Sequence, residues 1–155
     1  LASHNGRPEG RVEKSLSLQP VAQVLANLVK KDVTFVDDCV GKEAAEEAFN
    51  LAPGGILLLE NLRFHSAEEK NNTAFAKALA NLADVYVDDA FANAHSAHAS
   101  MVGVPKYLPH AAGILMQKEY EIINHLLDVP QRPFMAVIGG VKISSKIEVL
   151  ESLIR

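Results

Sequence analysis

The sequence has 155 residues, of which 48% are hydrophobic and 22% are charged, and its formal net charge at pH 7 is −4. Such a chain can bury one sizeable core, and its acidity excludes a broad nucleic-acid-binding surface, so any anion site has to be local. The single cysteine, Cys39, excludes an intramolecular disulfide and is typical of a cytoplasmic protein. No apolar run approaches the ~18 residues of a membrane-spanning helix. Because the chain starts without methionine and stops within a predicted helix, we expect a fragment of a longer protein.

The first predicted element is a loop at residues 1–10, which is rich in Ser, Asn, Gly and Pro. Within it, His4 and Arg7 lie three residues apart around a glycine, so both side chains can face one anion. A polar surface loop is the alternative interpretation.

Helices and strands then alternate along the chain. An apolar stripe at spacings of three and four predicts a helix at 16–30, and a β-branched run predicts a strand at 33–36. An Ala- and Glu-rich segment predicts a second helix at 42–50. Between them, Asp37 and Asp38 suggest a metal site, but we favour a loop that leads into the helix, where acids are stabilised near the N-terminus.

The next predicted strand, at 56–59, is apolar without alternation. A strand that is apolar on both faces is buried on both, as in the centre of a parallel sheet. Polar residues follow at once, and ligands of open α/β sheets bind outside the carboxyl ends of strands. Arg63 is therefore placed for carboxylate or phosphate recognition. The alternative is a surface arginine paired with Glu60.

A helix is predicted at 66–82 and a strand at 85–87, whose carboxyl end we expect at the same sheet edge as that of 56–59. The loop after it carries side chains that metals bind, although their spacing matches no established metal motif. We favour packing or ligand-orienting histidines over a metal site. The potential ligands are Asp88, Asp89, His95 and His98.

The last part of the sequence allows a short strand at 112–115 and predicts a helix at 117–127. A continuous apolar strand at 134–138 then leads into Gly139 and Gly140, with Lys142 and Lys146 before another helix. Backbone amides, a helix N-terminus and a lysine can converge on phosphate there, although no Walker A sequence is present. A tight β–α turn with exposed lysines is the alternative. The alternation of elements predicts an α/β fold, with a parallel sheet between two helical layers.

Several segments, in one order, resemble phosphoglycerate kinase, and the resemblance covers essentially the whole chain. The matching segments are LASHNGRPEG at 1–10, SLSLQPVA at 15–22, DDCVG at 37–41, LLLENLRF at 57–64, ADVYVDDAF at 83–91, AHSAHAS at 94–100, GVPKYLP at 103–109 and RPFMAVIGGVKISSKI at 132–147.

The resemblance implies two Rossmann-like domains joined by a helical hinge. The family transfers a phosphoryl group reversibly between 1,3-bisphosphoglycerate and ADP, giving 3-phosphoglycerate and ATP, with Mg²⁺ bound to the nucleotide. It implies that 1–116 is part of the 3-phosphoglycerate domain, that 117–130 is the hinge helix, and that 131–155 begins the nucleotide domain. It also implies a cytoplasmic monomer of glycolysis and gluconeogenesis, without nucleic-acid or membrane partners. The fragment alone is expected to be inactive.

The resemblance further implies roles for individual residues. Lys142 would stabilise the transferring phosphoryl group, whereas the main catalytic arginine of the family would precede Leu1. No residue is implied as a direct metal ligand. The implied substrate-binding residues are His4, Asn5, Gly6, Arg7, Arg63, His95 and the residue at position 96, and the implied nucleotide-phosphate residues are Gly139, Gly140, Lys142 and Lys146.

Position 96 departs from the family pattern, because an arginine is expected there and the sequence has Ser96. Serine cannot supply a charged, bidentate clamp. A second hypothesis is therefore a catalytically weakened relative that acts as an anion-binding or interaction module. A third is a metal-dependent hydrolase that uses the acids and histidines between positions 88 and 98.

Overall fold

The computed structural model describes residues 1–137, together with 147 and 151. Single turns of helix also occur in the loops between the regular helices and strands. No helix in this described part is long and apolar enough to cross a membrane. The helices are α1 (Gln19–Val29), α2 (Lys42–Asn50), α3 (Ser66–Glu69), α4 (Thr73–Ala80) and α5 (Ile114–Asp128), and the strands are β1 (Val33–Val36), β2 (Ile56–Leu59), β3 (Tyr86–Asp88) and β4 (His110–Ala112).

Strands β1 and β2 form a parallel pair in which Val33 lies opposite Ile56 and Val36 lies opposite Leu59. Leu58 of β2 packs against α1, in a cluster with Leu18 and Ala22. Leu57 and Leu59, which precede and follow Leu58, belong to a second cluster that includes residues of α2 and α4. Because successive side chains of a strand point to opposite faces, helices cover both faces of this pair. The predicted buried strand and the three-layer α/β arrangement are confirmed.

The second cluster is the larger of the two and fixes the loop that follows β1. Small residues allow close approach between its elements, and Phe75 of α4 is its largest side chain. Its buried members are Val36, Cys39, Ala44, Leu57, Leu59, Leu62, Phe75, Ala76, Leu79, Ala80, Ala99 and Val104.

The helix predicted at 66–82 is divided into α3 and α4. Asn71 between them has a positive φ of 50°, which ends a right-handed helix. The side chain of Asn72 then accepts hydrogen bonds from the N–H groups of Ala74 and Phe75, at 3.0 and 3.1 Å, and so caps α4.

The sequence had suggested that β3 lies next to β2 in one sheet. In the described sheets the two strands are not neighbours. Strand β3 pairs with β4, and Val85 and Val87 are more than half exposed, so β3 is not a buried central strand. The short strand allowed at 112–115 instead spans His110–Ala112, because α5 already begins at Ile114.

No strand is present over 134–137, where the apolar run had predicted one. Met135 and Val137 are 84% and 89% exposed, so the run lacks the packed layers that a two-faced apolar strand requires in the described residues. The remainder of that prediction, at position 138, lies outside the described residues.

The chain divides into two compact units. The first comprises Leu1–Asp88 and Ala92–Ala111, and it contains the loop at 1–10 and the region after β2. The second contains Asp89–Phe91 and α5. In this second unit, a carboxylate oxygen of Asp89 accepts a hydrogen bond from the Met116 N–H at 2.9 Å, which satisfies one of the free donors in the first turn of α5.

Candidate functional site: a basic cluster at the carboxyl end of β2

The loop at 1–10 is attached by backbone hydrogen bonds to β2 and the segment after it. The N–H of Leu59 donates to the carbonyl of Leu1 at 2.9 Å, and that of Leu62 donates to Ser3 at 3.1 Å. The N–H of Gly10 donates to the carbonyl of Arg63 at 3.2 Å. The loop therefore lies at the carboxyl end of β2, where the topology of α/β sheets places ligands.

Arg63 is held in this cluster by two partners. Its Nη1 donates to the carbonyl oxygen of Gly6 at 3.0 Å, and its Nε lies 3.6 Å from a carboxylate oxygen of Glu69. Only 13% of its side chain is exposed. The alternative of a surface arginine paired with Glu60 is therefore wrong.

Glu60 does not pair with Arg63, although the two residues are close in sequence. Its carboxylate is buried and accepts hydrogen bonds from the hydroxyl of Ser17 at 2.6 Å and the N–H of Leu18 at 2.8 Å. It also accepts from the N–H of Asn61 at 2.7 Å. The same Ser17 hydroxyl accepts from the N–H of Gln19 at 3.1 Å, so Glu60 and Ser17 together hold the start of α1.

His4 is half-buried beside Arg63, and its electrostatic surroundings identify the other members of the cluster. Burial is the main cause that lowers the pKa of His4, and the positive charges of Arg63 and His98 lower it further. Glu69 acts in the opposite direction. Side chains able to carry positive charge thus converge from three segments of the chain, which favours a bound anion.

Arg7 follows Gly6, whose carbonyl accepts a hydrogen bond from Arg63, and we include it in what we call the basic cluster, defined as His4, Arg7, Arg63 and His98. Its side chain is exposed and makes no hydrogen bond or ion pair with any residue of the described part. The guanidinium fork is therefore open to an external carboxylate or phosphate. Asn5 and Gly6 lie between His4 and Arg7, and Gly6 has a positive φ of 65°, which glycine adopts without strain.

His98 is the member of the cluster for which the sequence analysis predicted no substrate role. Its Nδ1 lies 4.0 Å from the carboxylate of Glu68, which is buried and accepts hydrogen bonds from the N–H and the hydroxyl of Ser100. The repeated histidine in AHSAHAS was the available signal, but spacing alone does not show which of two histidines faces inward.

The other predicted residues of this segment lie differently. His95 is exposed, and no interaction joins it to His4 in the described structure. Ser96 is half-buried, and its N–H donates to the carbonyl of Asn93 at 2.9 Å. The predicted phosphate-binding residues Gly139, Gly140, Lys142 and Lys146 lie outside the described residues.

One group of potential metal ligands occurs in the described part of the chain, and of the residues considered as metal ligands from sequence only Asp38 belongs to it. It consists of Asp38, Cys39 and His65, whose ligand atoms lie within 4.8 Å of one another. The carboxylate of Asp38 accepts hydrogen bonds at 2.6 Å from His65 Nε2 and from the N–H of Cys39. Burial raises the pKa of the Cys39 thiol, so the group is a satisfied carboxylate–imidazole pair above a buried thiol. The acids and histidines between 88 and 98 form no such group there.

Comparisons with known proteins show which proteins the chain resembles in sequence and fold. A family model described as phosphoglycerate kinase matches residues 1–155. The chain is 56% identical over 154 residues to the phosphoglycerate kinase of Moorella thermoacetica and 53% identical over 154 residues to that of Desulforudis audaxviator. Each alignment covers 99% of this chain and 39% of the relative. The chain therefore spans about two fifths of the length of these relatives.

Solved structures show the same similarity in three dimensions. The phosphoglycerate kinase of Coxiella burnetii superimposes with a TM-score of 0.78 at 44% identity, over 97% of this chain and 37% of that chain. The enzyme of Pyrococcus horikoshii gives a TM-score of 0.85 at 32% identity, over 97% of this chain and 38% of that chain.

Proposed function

The chain belongs to the phosphoglycerate kinase family, and from that premise we propose that the whole protein transfers a phosphoryl group reversibly between 1,3-bisphosphoglycerate and ADP. The products are 3-phosphoglycerate and ATP. The 155 residues span about two fifths of the relatives' length, so we expect no turnover from them alone.

The observation that supports this proposal most directly is the convergence of His4, Arg63 and His98 at the end of β2, beside the loop that carries Arg7. 3-Phosphoglycerate carries a carboxylate and a phosphate, so it needs several separate cationic partners. Arg63 is held by Gly6 and Glu69, whereas Arg7 is open, so the cluster combines a fixed cation with an adaptable one. Phosphoryl transfer depends mainly on such positioning and charge stabilisation.

We assign individual roles within the cluster as follows. The guanidinium of Arg7 binds the substrate phosphate or carboxylate, Arg63 stabilises its negative charge, and His4 donates a hydrogen bond to it. Asn5 and Gly6 give the loop its turn, which keeps the two loop side chains on one side. His95 and Ser96 border the site, and His98 is the inward-facing histidine of that segment.

The nucleotide half of the reaction remains a prediction from the family. Lys142 is assigned to the transferring phosphoryl group, and Gly139, Gly140 and Lys146 are assigned to nucleotide phosphate. Mg²⁺ would enter bound to ADP or ATP and neutralise phosphate charge. The same reasoning assigns 1–116 to the substrate domain, 117–130 to the hinge and 131–155 to the nucleotide domain, in a cytoplasmic monomer.

The direct test is calorimetric titration of the whole protein with 3-phosphoglycerate, together with a turnover assay. We expect saturable binding of the wild type and a loss of affinity of one to two orders of magnitude in Arg63→Ala, because a hydrogen bond to a charged group contributes about 1.5–3 kcal/mol. Arg11→Ala removes an exposed arginine outside the cluster and should bind like the wild type. A folded wild-type protein that does not bind 3-phosphoglycerate would contradict the proposal.

Ser96 supports a second candidate function, in which the protein binds the anion but turns it over slowly. The half-buried hydroxyl at this position carries no charge, where the family supplies an arginine. This candidate predicts that Ser96→Arg raises turnover of the whole protein, whereas the uncharged variant Ser96→Gln does not. Equal turnover in wild type and Ser96→Arg would remove this candidate.

A further inference from the structure

Asn61 is a fully buried polar residue that links two segments of the basic cluster, the loop at 4–7 and Arg63, to the backbone at Leu16. It follows β2, and its side chain is 0% exposed. Its amide Nδ2 donates to the carbonyl of Asn5 at 2.8 Å and to that of Leu16 at 2.9 Å. Its Oδ1 accepts from the N–H of Arg63 at 3.0 Å. Both amide hydrogens and the amide oxygen are therefore used.

The partner carbonyl at Asn5 belongs to the peptide segment between His4 and Arg7. A hydrogen bond to that carbonyl fixes the position of the turn at residues 4–7 relative to the carboxyl end of β2. The bond from the Arg63 N–H to the same side chain fixes the backbone that carries the Arg63 guanidinium. One amide group thus sets the separation between the loop that carries His4 and Arg7 and the backbone of Arg63.

We propose that Asn61 is a positioning residue for the anion site, which acts by holding the carbonyl of Asn5 and the backbone of Arg63 at a fixed distance. This inference rests on the proposed function, because it takes 3-phosphoglycerate as the anion. Asn61 itself is buried behind the loop, so it acts on the ligand only through the residues that it holds.

An amide is the side chain that the geometry demands. Two carbonyl oxygens face its nitrogen and one N–H faces its oxygen, a pattern that a carboxylate or an apolar group cannot match. Buried polar groups are almost always paired, and loss of a partner leaves them unsatisfied. In Asn61→Leu we therefore expect the Asn5 carbonyl to move toward water, and His4 and Arg7 to move with it.

The neighbouring Glu60 provides a matched control. It is also buried at the end of β2, but its side-chain bonds go to Ser17, Leu18 and the Asn61 N–H, and none goes to the loop at 4–7. Glu60→Gln thus disturbs the same sheet edge without releasing that loop.

The experiment measures the Kd for 3-phosphoglycerate, the KM of each substrate, kcat and Tm in the whole protein. We expect Asn61→Leu to raise the Kd and KM for 3-phosphoglycerate about tenfold, because small displacements of binding groups have large effects. The KM for nucleotide and the kcat at saturating substrate should change less than about twofold. Glu60→Gln should lower Tm to a similar extent and leave the Kd within about twofold of the wild type.

If Asn61→Leu does not fold, Asn61→Ser supplies the test, since a smaller polar residue admits water to the two carbonyls. Amide NMR should then show shifts at residues 4–7 and weaker 3-phosphoglycerate binding. An unchanged Kd in a folded Asn61 variant overturns the inference, as does an equal rise in Kd for Glu60→Gln. A wild-type protein that fails to bind 3-phosphoglycerate would instead reject the proposed function.

Discussion

At the scale of single residues, Arg63 shows why a guanidinium is required at the end of β2. One nitrogen serves the Gly6 carbonyl and another faces Glu69, and the group still has donors left for a ligand. A lysine carries the same charge on a single nitrogen, without the planar fork. Charge and geometry can therefore be separated by substitution at this position.

We expect Arg63→Lys to weaken 3-phosphoglycerate binding about tenfold, because the ammonium cannot bond to Gly6 and to the ligand in the same fixed geometry. Titration calorimetry of the whole protein measures the loss. Arg11→Lys, in an exposed position, is the matched control and should leave the Kd unchanged. A wild-type Kd for Arg63→Lys would show that positive charge alone is sufficient.

His4 gives the protein a pH-dependent component of stability whose sign follows from its surroundings. Burial and the neighbouring cations lower its pKa in the folded state below the unfolded-state value. As the pH falls below about 6.5, the unfolded chain therefore binds the proton first. The contribution of His4 is fully present above that pH and is lost as the pH falls through the lower, folded-state pKa.

The free energy of unfolding of the wild type should fall between about pH 7.5 and pH 5.5 as the unfolded chain takes up a proton at His4. We expect a smaller fall in His4→Gln, since glutamine takes up no proton. Urea unfolding at the two pH values measures the difference. His110→Gln replaces an exposed histidine outside the basic cluster and is the control. A loss in His4→Gln as steep as in the wild type would show that other groups cause it.

At the scale of elements, the loop at 1–10 depends on a close approach that only glycine allows. Gly10 has a positive φ of 77°, and a Cβ there would lie 2.5 Å from the Cβ of Ser66 at the start of α3. Gly54 has nearly the same φ, 78°, but a Cβ there would meet only the Lys31 ammonium at 3.9 Å. A side chain at either position would therefore adopt a similar strained backbone conformation, but only at Gly10 would it also clash with neighbouring atoms.

We expect Gly54→Ala to lower the free energy of unfolding by about 1–2 kcal/mol, which is the cost of a left-handed alanine. Gly10→Ala should cost about 3 kcal/mol or more, because the loop and α3 must also separate. Urea denaturation of both variants gives the comparison. Equal losses would show that Gly10 is retained for its backbone conformation alone.

At the scale of the whole molecule, net charge and local charge have opposite signs. The chain has a net charge of −4, yet cationic side chains gather at the end of β2. Because the basic cluster provides the positive charge for the substrate, binding of 3-phosphoglycerate requires no metal in this proposal. We propose, in contrast, that the nucleotide relies on Mg²⁺ to neutralise its phosphates.

We expect chelation of Mg²⁺ by EDTA to abolish turnover of the whole protein and to leave the Kd for 3-phosphoglycerate within about twofold. Calorimetry with and without EDTA, beside a turnover assay, measures both. Restoration of turnover by added Mg²⁺ is the control. A large loss of 3-phosphoglycerate affinity in EDTA would show that a metal takes part in the substrate site.

The sequence by itself determined the elements whose signals are local and strong. The apolar run at 56–59 predicted a strand buried on both faces, and the helix at 42–50 has the predicted bounds, because periodicity and propensity act within a few residues. The family resemblance, carried by ordered motifs, was confirmed over the whole chain. The apolar run at 134–137 also predicted a strand. That prediction was wrong, since an apolar run forms a strand only where other layers cover it.

Only the tertiary structure decided which polar side chains meet. No local rule joins Asn61 to Asn5, 56 residues away, or turns His98 rather than His95 toward His4. Arg63 bonds to Gly6 and not to nearby Glu60, because backbone hydrogen bonds bring the first loop to the end of β2. Such contacts depend on the packing of distant segments, which spacing in the sequence does not encode.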